Sequence, residues 1–308
     1  MSRLTVNVFP AGFIWPLWAG RAKGFFAAQG VELELIFTPN SIQQMVGLID
    51  GAFDIAMTAI DNVIAYMEGQ GEVETKAVPD IVSVMGSSSG FLSLMAAPHI
   101  KTMADFKGKT LAVDAMTTGY SFTLRRMLEV SGLKRNEYTL VAVGGMRERY
   151  EALLRGEQAG TLSVPPFTVM AKAKGYNEVA TPLSLFSHFQ GGVAAVRREW
   201  AAAHGDEIVG FIRGNIASLA WLYDPANKQE ALDLFQANMP GASRDAAEQS
   251  YAVLLHPVTG FPRDARIDME GVRTVMEIRS EFGAPRRTFT DAELYYDPTY
   301  YDRAIAGV

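Results

Sequence analysis

Leu4-Thr5-Val6-Asn7-Val8-Phe9 carries the period-two alternation of a strand, and Lys109-Thr110-Leu111-Ala112-Val113 reads as its counterpart about a hundred residues later. The segments after these two strands decide the fold. After the first come the loop Pro10-Ala11-Gly12-Phe13 and a helix with Trp15, Trp18, Ala22 and Phe25 or Phe26 on one stripe, stopped by Gly30. After the second come the loop Met116-Thr117-Thr118-Gly119 and a helix from Tyr120 or Ser121, stopped by Gly132. The parallel continues. Val31 to Phe37 and Tyr138 to Val143 are the second strands. Asn40 or Ser41 caps a helix that turns Ile42, Met45, Val46 and Ile49 inward, and Arg147 to Leu154 is its counterpart, with Tyr150, Leu153 and Leu154 facing in. Gly51 then precedes Asp54-Ile55-Ala56-Met57, as Gly156 precedes Thr161-Leu162-Ser163-Val164. A further helix starts near Asp61-Asn62, and Asp80 to Met85 is a fourth strand. Strands alternating with helices predict βαβ crossovers, and the repeated stride predicts two similar α/β lobes, each a mostly parallel sheet flanked by helices.

From about Arg197 the pattern becomes helical. Arg198 to Ala203, Asp206 to Trp221, Gln229 to Asn238, Ser243 to Leu255 and Met269 to Phe282 have helical periodicity, broken at Asp224-Pro225 and Met239-Pro240-Gly241. The aromatic tail Tyr295-Tyr296-Asp297-Pro298-Thr299-Tyr300-Tyr301 is expected to pack. Length agrees with two lobes, since 308 residues exceed what one core ordinarily holds. The net charge of −6 argues against nucleic acid, whose binders need a basic face. With no cysteine there is no disulfide framework, thiolate nucleophile or sulfur-built zinc site. No run of about eighteen apolar residues exists, so no direct membrane insertion is expected.

Recognised catalytic motifs are missing from the chain. His99, His188, His204 and His256 show no metal-ligand spacing, and no nucleophile elbow, Walker loop or dinucleotide fingerprint occurs. No catalytic residue, metal or cofactor is expected. Gly86-Ser87-Ser88-Ser89-Gly90 lacks the phosphate-loop lysine but suits a ligand wall. In open α/β sheets ligands sit beyond the carboxyl ends of the strands, where helix N-termini supply donors. Those ends comprise Pro10 to Trp15, Asn40-Ser41, Thr58 to Asn62, Ser87 to Ser89, Thr117 to Ser121, Gly145 to Arg147 and Val164 to Phe167. The candidate ligand-binding residues are therefore Phe13, Trp15, Asn40, Thr58, Asp61, Asn62, Ser89, Thr117, Thr118, Gly119, Tyr120, Ser121, Arg147, Pro165, Phe167 and His188. Several admit a second reading. Asp61 also suits a helix cap or first-turn acid, Arg147 a pair with Glu151, and His188 a loop at a domain crossing. Phe13, Trp15 and Trp18 also suit a core, with Trp15, before Pro16 at the helix entrance, favoured for the pocket.

Four further pieces, in order, carry a resemblance. They are Gly24-Phe25-Phe26-Ala27-Ala28-Gln29-Gly30-Val31-Glu32-Leu33-Glu34, Gly51-Ala52-Phe53-Asp54-Ile55-Ala56, Asp105-Phe106-Lys107-Gly108-Lys109-Thr110-Leu111-Ala112-Val113, and Leu153-Leu154-Arg155-Gly156-Glu157-Gln158-Ala159 with Pro165-Pro166. With them the chain resembles the type II periplasmic binding proteins, in the branch of ABC-transporter receptors for nitrate, sulfonates, taurine and thiamine-pyrimidine precursors. The resemblance implies the two-lobed fold, with residues 1–96 and 191–308 in one lobe and 97–190 in the other, closing on a solute by hinge motion. It matches Thr118, Gly119, Tyr120 and Ser121 to a helix N-terminus that receives an anionic or polar group. It further implies a monomer that hands a small-molecule solute, ring-containing or anionic, to an ABC-transporter permease.

The pyrimidine synthases of this fold use a cysteine-rich motif that this chain lacks. An enzyme resembling the dihydroxyphthalate decarboxylases and a cytosolic ligand sensor are the alternatives. Met1-Ser2-Arg3 runs straight into the first strand without room for a signal peptide. A mature exported form would be periplasmic and a natively leaderless chain cytoplasmic; both readings stand.

Overall fold

The computed structural model describes residues 1–88 and 91–306. Its first sheet grows from β1 (Ser2–Val8), whose Leu4, Val6 and Val8 are buried. β2 (Val31–Phe37) and β3 (Ile55–Ala59) flank it in parallel, β4 (Ile81–Ser88) forms the far edge, and a returning strand lies antiparallel between β3 and β4. The second sheet uses β5 (Ser93–Ala96), β6 (Thr110–Val113), β7 (Thr139–Ala142), β8 (Gly160–Ser163) and β9 (Asn177–Ala180), in the order β7-β6-β8-β5-β9. The returning strand is β10 (Gly192–Arg197), which gives the first sheet the order β2-β1-β3-β10-β4. Each sheet is thus mixed, with four strands running one way and one, β10 or β5, against them. Both exceptions come directly after a crossing between the sheets. The expected boundary at 96/97 falls after β5, so the first crossing precedes that strand.

The helices follow the expected alternation. α1 (Trp15–Lys23), α2 (Ser41–Ile49) and α3 (Ile60–Met67) belong to the first unit; α4 (Gly119–Val130), α5 (Met146–Leu154) and α6 (Phe167–Ala173) belong to the second. Asn40 is the cap of α2, its side chain accepting from the Gln43 N–H at 2.9 Å. One stop differs from expectation. α1 ends at Gly24, the first residue that enters the left-handed region without a Cβ penalty (φ 74°), and Gly30 (φ 78°) ends a separate short turn over Ala27–Gln29. Phe26 therefore lies outside α1 and stacks on Phe211 with ring centroids 5.7 Å apart.

The C-terminal region contributes α7 (Arg198–Ala203), α8 (Gly205–Tyr223), α9 (Lys228–Asn238), α10 (Arg244–Leu254), α11 (Met269–Phe282) and α12 (Pro298–Ile305). The aromatic tail packs as expected, burying Tyr295, Tyr300 and Tyr301, and its end is helical because Asp297 caps α12 ahead of Pro298. α8 covers α1 and α12, whereas α10 touches α6 and α11 packs on both α3 and α4. The C-terminal helices therefore hold elements of both sheets.

Candidate functional site

The carboxyl ends of the strands in both sheets converge on one cleft. Phe9 and Phe13 follow β1, Asn40 and Ser41 follow β2, Thr58, Ala59 and Asn62 surround the β3–α3 junction, and Ser87 and Ser88 end β4. From the other side come Asp114, Thr118, Gly119 and Tyr120 after β6, Gly145, Met146 and Arg149 after β7, and Val164 after β8. Phe91, Leu92, Gly191 and Gly192 line it from the crossings.

Three helices begin at this cleft without a side-chain cap: α3 at Ala59, α4 at Thr118 and α5 at Gly145. Their first N–H groups lie at the positive ends of helix dipoles and suit an acceptor. Thr118 could cap α4 but turns its hydroxyl to Asp114 Oδ1, at 2.6 Å. Asp114 Oδ2 also accepts from the Ser41 hydroxyl across the cleft, at 3.3 Å. On the near wall the Asn62 amide donates to Thr58 Oγ1 at 2.9 Å.

Arg149 is 2% exposed, and neutral acceptors hold its fork. Nε donates to the Gly144 carbonyl at 3.0 Å, Nη1 to the Leu162 carbonyl at 2.7 Å and to Thr161 Oγ1 at 3.2 Å, and Nη2 meets Met146 Sδ. Burial pushes the guanidinium down from its ordinary value, and the charge of Asp114 pushes it back up. The Tyr120 phenol is pushed up, first by burial and then by Asp114, so it stands in the cleft as a neutral donor.

Of the sequence candidates, Phe13, Asn40, Thr58, Asn62, Thr118, Gly119 and Tyr120 come together here. The others lie elsewhere, apart from Ser89, which is outside the described residues. Trp15 is fully buried, its ring 4.6 Å from Phe235 and 5.9 Å from Tyr251. Asp61 is the first-turn acid of α3 and is locked in a buried ion pair with Arg279. Thr117 is exposed and serves structure: its N–H donates to Glu72 Oε1 and its carbonyl accepts from Arg279. Ser121 is buried with its hydroxyl on the Met116 carbonyl. The Pro165 carbonyl accepts from the Gly12 N–H of the first unit, and Phe167 is buried against Tyr150. His188 pairs with Asp268 at 3.0 Å, away from the cleft.

Arg147 is exposed and lies over the Phe167 ring, so the cleft's cation is Arg149 instead. Two residues along a helix turn a side chain by about 200°, which places these arginines on opposite faces. A signal for Arg149 existed. It lies beside Tyr150 and four residues before Leu153, on the face already read as inward. Asp114 directly follows β6, two positions ahead of the loop Met116-Thr117-Thr118-Gly119.

Gly119 packs directly against Asp61 of the other half. A Cβ at this position would overlap the Asp61 side chain. Gly119→Ala is expected to cost about 1–3 kcal/mol of stability in urea titration, because the buried Asp61 cannot move aside. A loss below about 0.5 kcal/mol would show that the α4 N-terminus is free to shift.

The family model described as NMT1/THI5 like matches residues 13–227, more than two thirds of the chain. A curated relative is the bicarbonate transport ATP-binding protein CmpC of Synechocystis, 22% identical over 233 residues. The match covers 71% of this chain and 35% of CmpC, so the chain spans about a third of that relative's length. Among solved structures, the periplasmic nitrate-binding protein NrtA from Synechocystis superposes with a TM-score of 0.84 at 11% identity, covering 100% of this chain and 89% of that one. The ligand-binding component of an ABC-type import system from Staphylococcus aureus gives 0.79 at 16% identity, with 99% of each chain covered. The desulfurization enzyme DszB shares the fold at 0.66 and 14% identity, covering 100% and 99%. The fold is the two-lobed one of periplasmic binding proteins.

Proposed function

The chain belongs to the NMT1/THI5-like family, and from that premise we propose that it is a solute receptor, which closes two lobes on a small organic molecule and delivers it to an ABC-type permease. The lobes are the two sheets with their helices, hinged where the chain crosses before β5 and before β10. One observation carries this reading. Strand ends and helix N-termini from both sheets wall a single cleft with hydroxyls, amides, aromatic rings and a fixed arginine. A cleft built for acid–base chemistry needs groups free to move protons. The carboxylate among these lining residues, Asp114, is engaged by two hydroxyls, and Arg149 is anchored to carbonyls. On this reading the receptor works as a monomer in the periplasm. Among the described residues no helix is long and apolar enough to cross a membrane.

A thermal-shift screen of small organic solutes tests the proposal. A solute at a hundredfold excess over its Kd stabilises the folded state by about 2.7 kcal/mol. The same solute should reduce the radius of gyration in small-angle scattering as the lobes close. Chromatography should return it unchanged. Turnover of the bound solute, as in an enzyme of this fold, would overturn the receptor reading.

A further inference from the structure

We propose that α11 is a strut between hinge and cleft: Gln190 and Gly271 fasten its start to the crossing before β10, so that movement at this crossing reaches the start of α4. The inference rests on the two-lobe reading of the receptor and names residues outside the cleft that control its closure.

Gln190 is 2% exposed, and both ends of its side-chain amide are engaged. Nε2 donates to the Ser88 carbonyl at 3.0 Å, where β4 ends, and to the Gly192 carbonyl at 2.7 Å, where β10 begins. Oε1 accepts from the Asp268 N–H at 2.8 Å. Two carbonyls against the nitrogen and one N–H against the oxygen fix the orientation of the amide. Asp268 is the cap residue of α11, so this one side chain ties that helix to both β4 and β10. Gly271, in the first turn of α11, lies against the same crossing. A Cβ there would collide with the Gln190 nitrogen and the Phe189 carbonyl carbon, both main-chain atoms. The next carbonyl, that of Gly191, accepts from the Ile60 N–H at 3.0 Å and so holds the start of α3. The crossing thus carries the first turns of α3 and α11, and these helices meet again at the Asp61–Arg279 pair. Hydrogen bonds at one corner and an ion pair at another close a triangle. At 1.5 Å per residue, Arg279 lies about 16 Å along α11 from Asp268. From there it also holds the Thr117 carbonyl, immediately before α4. A helix clamped to the crossing at one end and touching the second unit at the other carries a tilt of the crossing to the cleft.

The chain has no cysteine, so spin labels at Glu32→Cys and Asn136→Cys, both exposed and one in each lobe, report the distance between the lobes without solute. Gln190→Met removes the amide's bonds and keeps most of its volume, whereas Gly271→Ala wedges α11 off the crossing with Gln190 in place. Each is expected to shift the closed-to-open ratio roughly tenfold towards open, the worth of one or two lost hydrogen bonds. Trp15→Ala, which weakens the core of one lobe, should leave the ratio unchanged. Gln190→Met combined with Arg279→Met should shift it no further than the larger single change, because both break the same strut. The proposal falls if either clamp variant, shown to be folded by a cooperative melt, keeps the wild-type distances. It falls equally if Trp15→Ala matches their shift, since the ratio would then follow stability alone, or if the effects of Gln190→Met and Arg279→Met simply add. A single narrow distance in every variant, wild type included, would remove the hinge motion and this inference with it. Turnover of a bound solute would instead remove the receptor reading, while the shifts in distance still support the strut.

Discussion

Replacing Arg279 with methionine is expected to lower the free energy of unfolding by about 3–5 kcal/mol, seen as a fall in the urea midpoint at unchanged slope. Arg279 is 1% exposed and grips Asp61 with both ends of its fork, at 2.6 Å and 2.5 Å. It also donates to Gln70 Oε1 at 3.2 Å and to the Thr117 carbonyl at 3.0 Å, with its guanidinium 4.9 Å from the Phe122 ring centre. Methionine fills much of the volume but leaves the Asp61 carboxylate, 3% exposed, buried without its counter-charge. That unpaired charge, more than the lost attraction, accounts for the size of the effect. Removing Asp61 as well, in Asp61→Ala/Arg279→Met, should therefore recover part of the loss, whereas independent residues would give additive losses. A single variant within about 1 kcal/mol of wild type, or strict additivity, would refute the account.

The position of this pair gives it a second consequence. Asp61 starts α3, Arg279 lies on α11, and the Thr117 carbonyl immediately precedes the α4 cap. α11 touches helices from both sheets, so the ion pair fixes where the uncapped start of α4 faces the cleft. Arg279→Met should consequently weaken solute binding as well as stability, because the donors of α4 lose their bracing. The C-terminal helices are thus part of the device that sets cleft geometry.

Sequence patterns were legible wherever a local rule governs. Period-two runs marked β1 and β2, the Asn40 cap placed α2, and the helical stretches Arg198–Ala203 and Met269–Phe282 lie where their periodicity put them. Seven of the candidates chosen by the strand-end rule line the cleft, because that rule depends only on topology. It failed where a side chain's partner lies far along the chain. Asp61 reads equally well as ligand or first-turn acid until Arg279, 218 residues away, is placed beside it. Ser121 and Thr117 share a loop with Thr118 and Tyr120, yet their partners, Met116 and Glu72, draw them out of the cleft. Arg147 is the exposed charge at the helix start, whereas the arginine that lines the cleft, Arg149, is buried on the opposite face.

Trp15→Ala should cost about 3–5 kcal/mol of stability, while Phe13→Ala should cost under about 2 kcal/mol and instead weaken solute binding roughly tenfold. The two rings are neighbours in sequence, and the sequence pattern favoured the tryptophan for the pocket. Pro16 in the first turn of α1 fixes the start of that helix and turns Trp15 inward, where it contacts Phe235 of α9 and Tyr251 of α10. Deleting it leaves a cavity among three packed helices that cannot easily collapse. Its indole N–H has no hydrogen-bond partner among the described residues, so Trp15→Phe should be far milder than Trp15→Ala. Phe13 lies one short turn earlier and is half-buried, with its ring on the cleft wall. Its loss exposes little core but removes an apolar face that a solute would cover. Urea titration and calorimetry on the same three variants separate the roles. A Phe13→Ala protein that binds normally but unfolds early would exchange the two assignments and move the aromatic wall of the cleft elsewhere.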